Sequence, residues 1–278
     1  MRLDQYVAEQ LPELSRAFAA KLIERGQVSV NGAVQTKPGN KLRETDSVKI
    51  DFDPKAQAEV PEIELPVIYE DRSCVVINKP VGVLTHSKGA FNPEATVATW
   101  LSSRLAPGLS GERGGIVHRL DRATSGVMIC AKTPEGLSWL QKQFSQRKAK
   151  KTYLAIVRGQ LDKDEALIDM PIERNPRKPQ TFRVGANGKS SQTFYKVLET
   201  TEDYSLLQLL PTTGRTHQLR VHLNEIGHPI VGDTLYGGES SDRLLLHALS
   251  LEITLPNRKR ETFVAPEPAE FKEFMSRD

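Results

Sequence analysis

A single carboxylate, Asp121, stands between two guanidinium groups in the stretch Gly114-Gly115-Ile116-Val117-His118-Arg119-Leu120-Asp121-Arg122-Ala123-Thr124-Ser125-Gly126. Cations beside a carboxylate favour its anion, and the anion can act as a nucleophile or as a proton acceptor. The same spacing also describes a surface ion pair of little energetic weight, and spacing alone does not separate the two. Placement argues for chemistry. The apolar run Val127-Met128-Ile129-Cys130-Ala131 follows at once and reads as a buried strand. A loop pinned to a rigid strand is where folds commonly set reacting groups. Three histidines downstream, His217, His222 and His228, invite a metal reading. Their separations put them on different helical faces, and no Cys or carboxylate completes a tetrahedral set. No phosphate-cradling Walker loop, dinucleotide fingerprint or nucleophile elbow occurs.

The elements that must hold Asp121 are legible around it. Val67 to Glu70 and Cys74 to Ile77 read as strands, followed by Asn78-Lys79-Pro80-Val81-Gly82. Lys79 is either structural or cleft-lining there. Val97, Trp100, Leu101 and Leu105 recur at amphipathic-helix spacing. Thr133-Pro134-Glu135 opens another helix with a capping hydroxyl, a first-turn proline and an acid at the positive dipole end. The alternating run from Lys151 to Val157 is a strand, with Tyr153 a half-buried aromatic upon it. Leu219, His222, Leu223 and Ile226 lie along one face of a helix closed by Gly227 and Pro229. Arg215 precedes that helix in a loop, from which it can reach across a cleft. Leu249, Leu251, Ile253 and Leu255 alternate as a late strand, and Phe271 and Phe274 dock a short final helix.

With 278 residues, 38% of them apolar, the chain suits one large domain and one small one. The net charge is only +3, but its distribution is uneven. Two stretches, Trp139 to Gly159 and Arg174 to Lys196, carry six cations each and no acid, as a phosphate-binding surface would. Cys74 and Cys130 both lie in apolar runs and read as buried reduced thiols. No stretch is long enough to span a membrane, and the first residues lack a secretory segment, so the expected location is cytoplasmic. Residues 1–52 read as a two-helix, few-strand module. Ser15 caps its second helix, Gly26 closes it, and Asn31-Gly32 turns a hairpin. Residues 53–66, rich in Pro, Ala and Glu, read as a linker to a domain of residues 67–278.

Two resemblances sharpen this reading. HRLDRATSG resembles the catalytic motif of the RluA-type pseudouridine synthases, which isomerise uridine in RNA. Arg122-Ala123 stands where Lys-Asp is commoner in that family. The strand around Tyr153 and the segment PTTGRTHQLRVHLNEIGHPIVGDTLYG resemble its second and third motifs, with Leu219 where Ile is commoner. The likeness implies that Asp121 is the catalytic residue, that Tyr153 stacks on the target base, and that Arg215 pairs with Asp121. It places Arg119 in the space left by the flipped base and Leu219 against the substrate. RLDQYV followed by SRAFAAKLIERGQVSVNG resembles the alpha-L RNA-binding domain, which makes Arg2, Arg16, Lys21 and Arg25 candidate RNA-facing cations.

The implied fold is α+β: a small alpha-L module, then a mixed, mostly antiparallel sheet flanked by helices. The implied reaction breaks the glycosidic N–C bond, turns the uracil and rejoins it through carbon 5. Nothing is oxidised or added, so no cofactor or metal is called for. A glycosidase would need two carboxylates across the bond, whereas one motif carboxylate suits isomerisation. The expected partner of this monomer is RNA, with large-subunit ribosomal RNA ahead of transfer RNA. A non-catalytic RNA-binding or assembly factor need not retain Asp121, Tyr153 and Arg215 together.

Overall fold

The computed structural model describes residues 1–12, 14–52, 60–87, 94–111 and 113–276. Of the expected linker, residues 53–59 lie outside the described residues. The chain divides into two compact units, one of residues 1–63 with 86–95, the other of 64–85 with 96–278.

The first unit holds helices α1 (Leu3–Gln10) and α2 (Arg16–Glu24) and strands β1 (Val28–Val30), β2 (Ala33–Val34) and β3 (Val48–Ile50). The strands form a sheet in the order β2-β1-β3. Ser15 Oγ accepts the Phe18 N–H at 3.2 Å and starts α2, as its residue type predicts. Asn31 and Gly32 both adopt positive φ, at 51° and 81°, the conformation a two-residue hairpin needs. Leu3, Val7, Leu22, Ile23 and Val28 make the core. Asp4 is buried beside them and receives Arg2 and Arg16, each at 3.0 Å. The Arg2 bond, aided by Arg16, holds the Asp4 carboxyl at about 2 against the opposing effect of burial.

The second unit begins with β4 (Val67–Glu70), β5 (Cys74–Lys79), helix α3 (Val97–Ser102), β6 (Ser125–Ala131) and helix α4 (Pro134–Ser145). It continues with β7 (Lys150–Arg158), β8 (Glu165–Asp169), β9 (Ile172–Arg174), β10 (Phe182–Val184), β11 (Gln192–Thr200) and β12 (Tyr204–Pro211). Helix α5 (Gln218–Glu225), β13 (Leu246–Thr254), β14 (Arg260–Val264) and helix α6 (Ala269–Met275) complete it. A nine-stranded sheet runs β4-β5-β6-β13-β7-β12-β11-β8, with β14 beside β13. Its pairs are antiparallel except β13 with β6. The strands β9 and β10 form a separate hairpin. The α+β class and the mixed, mostly antiparallel sheet are as expected.

Thr133 Oγ1 caps α4, and Leu140 on that helix packs with Val76, Ile129 and Ile253 of the sheet. Leu219 and Leu223 seat α5 against Ala155, Leu207 and Leu209. Phe271 is fully buried and docks α6. The helix expected to reach Leu105 stops at Ser102. Cys74 and Cys130 are free and buried, and burial pushes both thiols up to about 12, which leaves them inert. Among the described residues no helix is long and apolar enough to cross a membrane.

Candidate active site

Asp121 sits on the loop leading into β6, and both of its neighbours are clamped through the backbone. Thr85 Oγ1 donates to the Leu120 carbonyl at 2.8 Å and accepts the Leu120 N–H at 3.3 Å. The Arg122 carbonyl accepts the Gly82 N–H at 2.9 Å and the Lys79 ammonium at 3.4 Å. Lys79 is wholly buried and also donates to the carbonyls of Pro80 and Val83, so it braces the loop and does not line the cleft. Burial draws its ammonium down to about 8, well below a free lysine. Past the loop, Gly126 lies at φ 116° with a β-carbon position 2.2 Å from the Ala248 carbonyl. Only glycine lets β6 approach β13 there, and that contact fixes where the loop ends.

The loop forms one wall of a cavity of about 550 Å³, a volume within the usual range for small-molecule sites. Asp121, Arg119, Tyr153, Arg215 and Leu219 all line it, so the structure gathers these expected site residues around one space. Tyr153 lies mid-sheet on β7, paired with Leu209 of β12 and Ala248 of β13, and so is fixed on both sides. Burial, then the charge of Asp121, pushes its phenol upward, so the ring is neutral at physiological pH. Lys151 shares the cavity, donates to the Thr213 carbonyl at 2.9 Å, and is lowered to about 8 by burial.

The cation facing Asp121 is Arg220, not the expected Arg215. Arg220 Nη1 lies 3.6 Å from Asp121 Oδ2, and His217 Nε2 lies 3.8 Å from the same oxygen. Arg215 stays on the preceding loop, where its Nε donates to the Ser190 carbonyl at 3.2 Å. The reason is local geometry. His217, at φ 56° and ψ 21°, breaks the backbone so that α5 starts only at Gln218. Helical side chains lean toward the N-terminus of their helix, which aims Arg220 on the first turn back at the cavity. Arg220 is held from behind by Asp233, with Nε and Nη2 each 2.7 Å from a carboxylate oxygen. Burial lowers the affinity of His217 for a proton, with the nearby Asp121 charge opposing.

The remaining polar groups of the motif anchor α5. Gln218 Nε2 donates to the Gln192 carbonyl and to Thr193 Oγ1, and Gln218 Oε1 accepts from Thr213 Oγ1. His222 spans Thr193 and the Met170 carbonyl, and His228 meets the Arg158 carbonyl. The three histidines therefore serve different places. Sequence reading did not single out Arg220, Asp233, Tyr236 or Thr85. The first three lie inside the quoted third motif; Thr85 carries no signal at all. In the first unit, Lys21 and Arg25 are exposed, while Arg2 and Arg16 are half-exposed and tied to Asp4.

Comparison with known proteins identifies the family. A family model described as RNA pseudouridylate synthase matches residues 73–225, and one described as S4 domain matches residues 1–48. An RNA pseudouridine synthase of Synechocystis sp. is 38% identical, with 99% of this chain and 88% of that protein aligned. The ribosomal large subunit pseudouridine synthase D of Nitrosomonas europaea is 40% identical over 92% of this chain and 78% of its own. The solved structure of human RNA pseudouridylate synthase domain containing 1 superposes with a TM-score of 0.61 at 32% identity, covering 74% of this chain and 84% of that one. The clamped aspartate loop, the strand tyrosine and the arginine of α5 thus lie within a segment that carries a family as well as a geometry, and the chain belongs to the RluA-type RNA pseudouridine synthases, with an S4 domain at its N-terminal end.

Proposed function

We propose that Asp121 is the catalytic residue and that the target is uridine in large-subunit ribosomal RNA. The observation that carries the reading is the approach of Arg220 and His217 to one oxygen of Asp121 inside a cavity that also holds Tyr153. The guanidinium stands 3.6 Å from the carboxylate and leaves it without a short bond. Asp121 then acts as nucleophile at the anomeric carbon or as base on the sugar. In both routes the N1–C1′ bond breaks, a C5–C1′ bond forms, and the C5 proton leaves as N1 gains one. Tyr153 stacks on the flipped base, returning roughly 1–3 kcal/mol against an unstacking cost of a few. Arg119 fills the space the base vacates, and Leu219 bounds the pocket.

In this reading residues 1–52 bind RNA through Arg2, Arg16, Lys21 and Arg25, residues 53–66 connect, and residues 67–278 perform the chemistry. In the same reading the chain acts as a monomer in the cytoplasm. Ribosomal RNA is favoured because the relatives named for a substrate are ribosomal large subunit synthases. Asp121→Asn keeps the shape and removes the charge. It should abolish isomerisation while RNA affinity stays within about tenfold, or roughly 1.4 kcal/mol. Appreciable turnover by the purified variant would remove the assignment. Mapping pseudouridines in total RNA with and without the gene tests the substrate, and a site confined to transfer RNA would overturn it.

A further inference from the structure

The two side chains that face Asp121 are each held from behind by the same short turn. Residues Thr234–Tyr236 form one turn of 3-10 helix with Asp233 at its N-cap. Three residues make one turn in this conformation, so side chains three apart point the same way. Asp233 and Tyr236 are three apart, and both point toward the first turn of α5. Asp233, 1% exposed, takes the Nε–Nη2 edge of Arg220 in a bidentate pair at 2.7 Å and 2.7 Å. The Tyr236 ring lies 4.9 Å from the same guanidinium, and its oxygen lies 2.7 Å from His217 Nδ1.

We infer that the Asp233–Tyr236 turn is a positioning element for the catalytic carboxylate, fixing both Arg220 and His217 so that neither closes onto Asp121. This rests on the reading that Asp121 is catalytic. The first argument is geometric. A guanidinium with a free fork closes on a carboxylate through two parallel bonds. Such a pair at Asp121 would occupy both oxygens. Because Asp233 anchors the guanidinium by its Nε–Nη2 edge, Nη1 is held 3.6 Å from Asp121, and the charge acts without tying the lone pairs. The second argument is the hydrogen inventory. The Tyr236 oxygen accepts the Phe182 N–H at 2.9 Å, so its own hydrogen is free for His217 Nδ1. When the phenol donates to Nδ1, the ring proton sits on Nε2, the atom that faces Asp121. The third is strain. A non-glycine residue at φ 56° is disfavoured, and such residues gather at functional sites when their surroundings hold them there.

The test compares full-length protein with Asp233→Asn, Tyr236→Phe and Asp121→Asn on an in vitro transcript of large-subunit ribosomal RNA. Single-turnover rates at saturating RNA, transcript affinity and melting temperature are measured for each. Asp233→Asn is expected to slow the chemical step by about tenfold or more, as loss of an outer partner does elsewhere, with affinity changed by less than about threefold. Tyr236→Phe keeps the ring under Arg220 and removes only the hydroxyl, so it covers the case in which Asp233→Asn does not fold. It should slow the step by about threefold or more, and 15N spectra should show His217 passing from the Nε2–H tautomer to a mixture. A merely structural role would lower melting temperature without moving that tautomer or splitting rate from affinity. If a folded Tyr236→Phe turns over at the unaltered rate while Asp121→Asn is inactive, the inference fails alone. Turnover by Asp121→Asn removes the underlying reading, and the inference with it.

Discussion

At the scale of residues, the cavity separates charge from contact. Asp121 has a guanidinium and an imidazole within 4 Å, but neither is at hydrogen-bond distance. Arg220 and Arg215 should therefore behave differently when altered. Arg220→Lys keeps the charge but loses the planar fork, and is expected to slow single turnover by at least about tenfold at saturating RNA. Arg215→Ala should act mainly on RNA affinity, because that side chain meets the Ser190 carbonyl and the cavity rim. Equal losses of rate from the two variants would contradict this division. Tyr153 divides in another way. Tyr153→Leu should be folded and nearly inactive if the ring stacks on the base. Tyr153→Phe should bind RNA normally and turn over at least about tenfold slower if the hydroxyl assists proton transfer. Melting curves beside single-turnover rates decide it, and a folded, fully active Leu variant would show that the ring only fills the sheet. The residue types around Asp121 were readable from the sequence because the motif names them. Which of two arginines five apart meets Asp121 was not, since that depends on a backbone reversal at His217.

At the scale of elements, patterns of period and capping carried most of the architecture. The start of α4 at Thr133, the turn at Asn31-Gly32 and the alternation along β13 all follow from local chemistry. The clamps on the Asp121 loop do not. Thr85 grips Leu120 from 35 residues away and Lys79 reaches Arg122 across 43, and no local pattern announces either contact. The first unit holds a comparable hidden device, since Asp4 on α1 clasps Arg16 of α2. Its carboxyl is held at about 2 when folded, below the ordinary 3.8. A depressed carboxyl adds stability above its unfolded value and loses it as pH falls through its folded value. Protection of the α1 and α2 amides, taken relative to intrinsic exchange at each pH, should therefore fall between about pH 4 and 2. In Asp4→Asn that acid-dependent fall should shrink, with protection lower throughout the neutral range. An identical acid profile in the two proteins would mean that the clasp adds nothing.

At the scale of the molecule, a net charge of +3 leaves RNA binding to local concentration of cations. Two such concentrations have an argued place. One is the exposed pair Lys21 and Arg25 at the end of α2 in the S4 domain. The other is the β9–β10 hairpin, whose connection carries exposed Arg177 and Lys178. The hairpin stands beside the Asp121 cavity, because Phe182 packs edge-on against His217 at 5.7 Å. Each phosphate contact contributes about 0.7–0.9 to the slope of log affinity against log salt. Lys21→Gln with Arg25→Gln, and separately Arg177→Gln with Lys178→Gln, should each flatten that slope by up to about 1.4–1.8. Both pairs should weaken binding at low salt and converge on the unaltered protein as salt screens the difference. They should differ in the chemical step. The S4 pair belongs to the unit to which no chemical role is assigned, so single turnover at saturating RNA should be unchanged. The hairpin pair sits on an element that touches His217, so a modest loss of rate should accompany the loss of affinity. Titrations across salt with single-turnover assays on both double variants test this. An unchanged salt slope for either pair would remove it from the RNA surface, and a slowed chemical step in the S4 pair would tie that domain to catalysis as well as to binding.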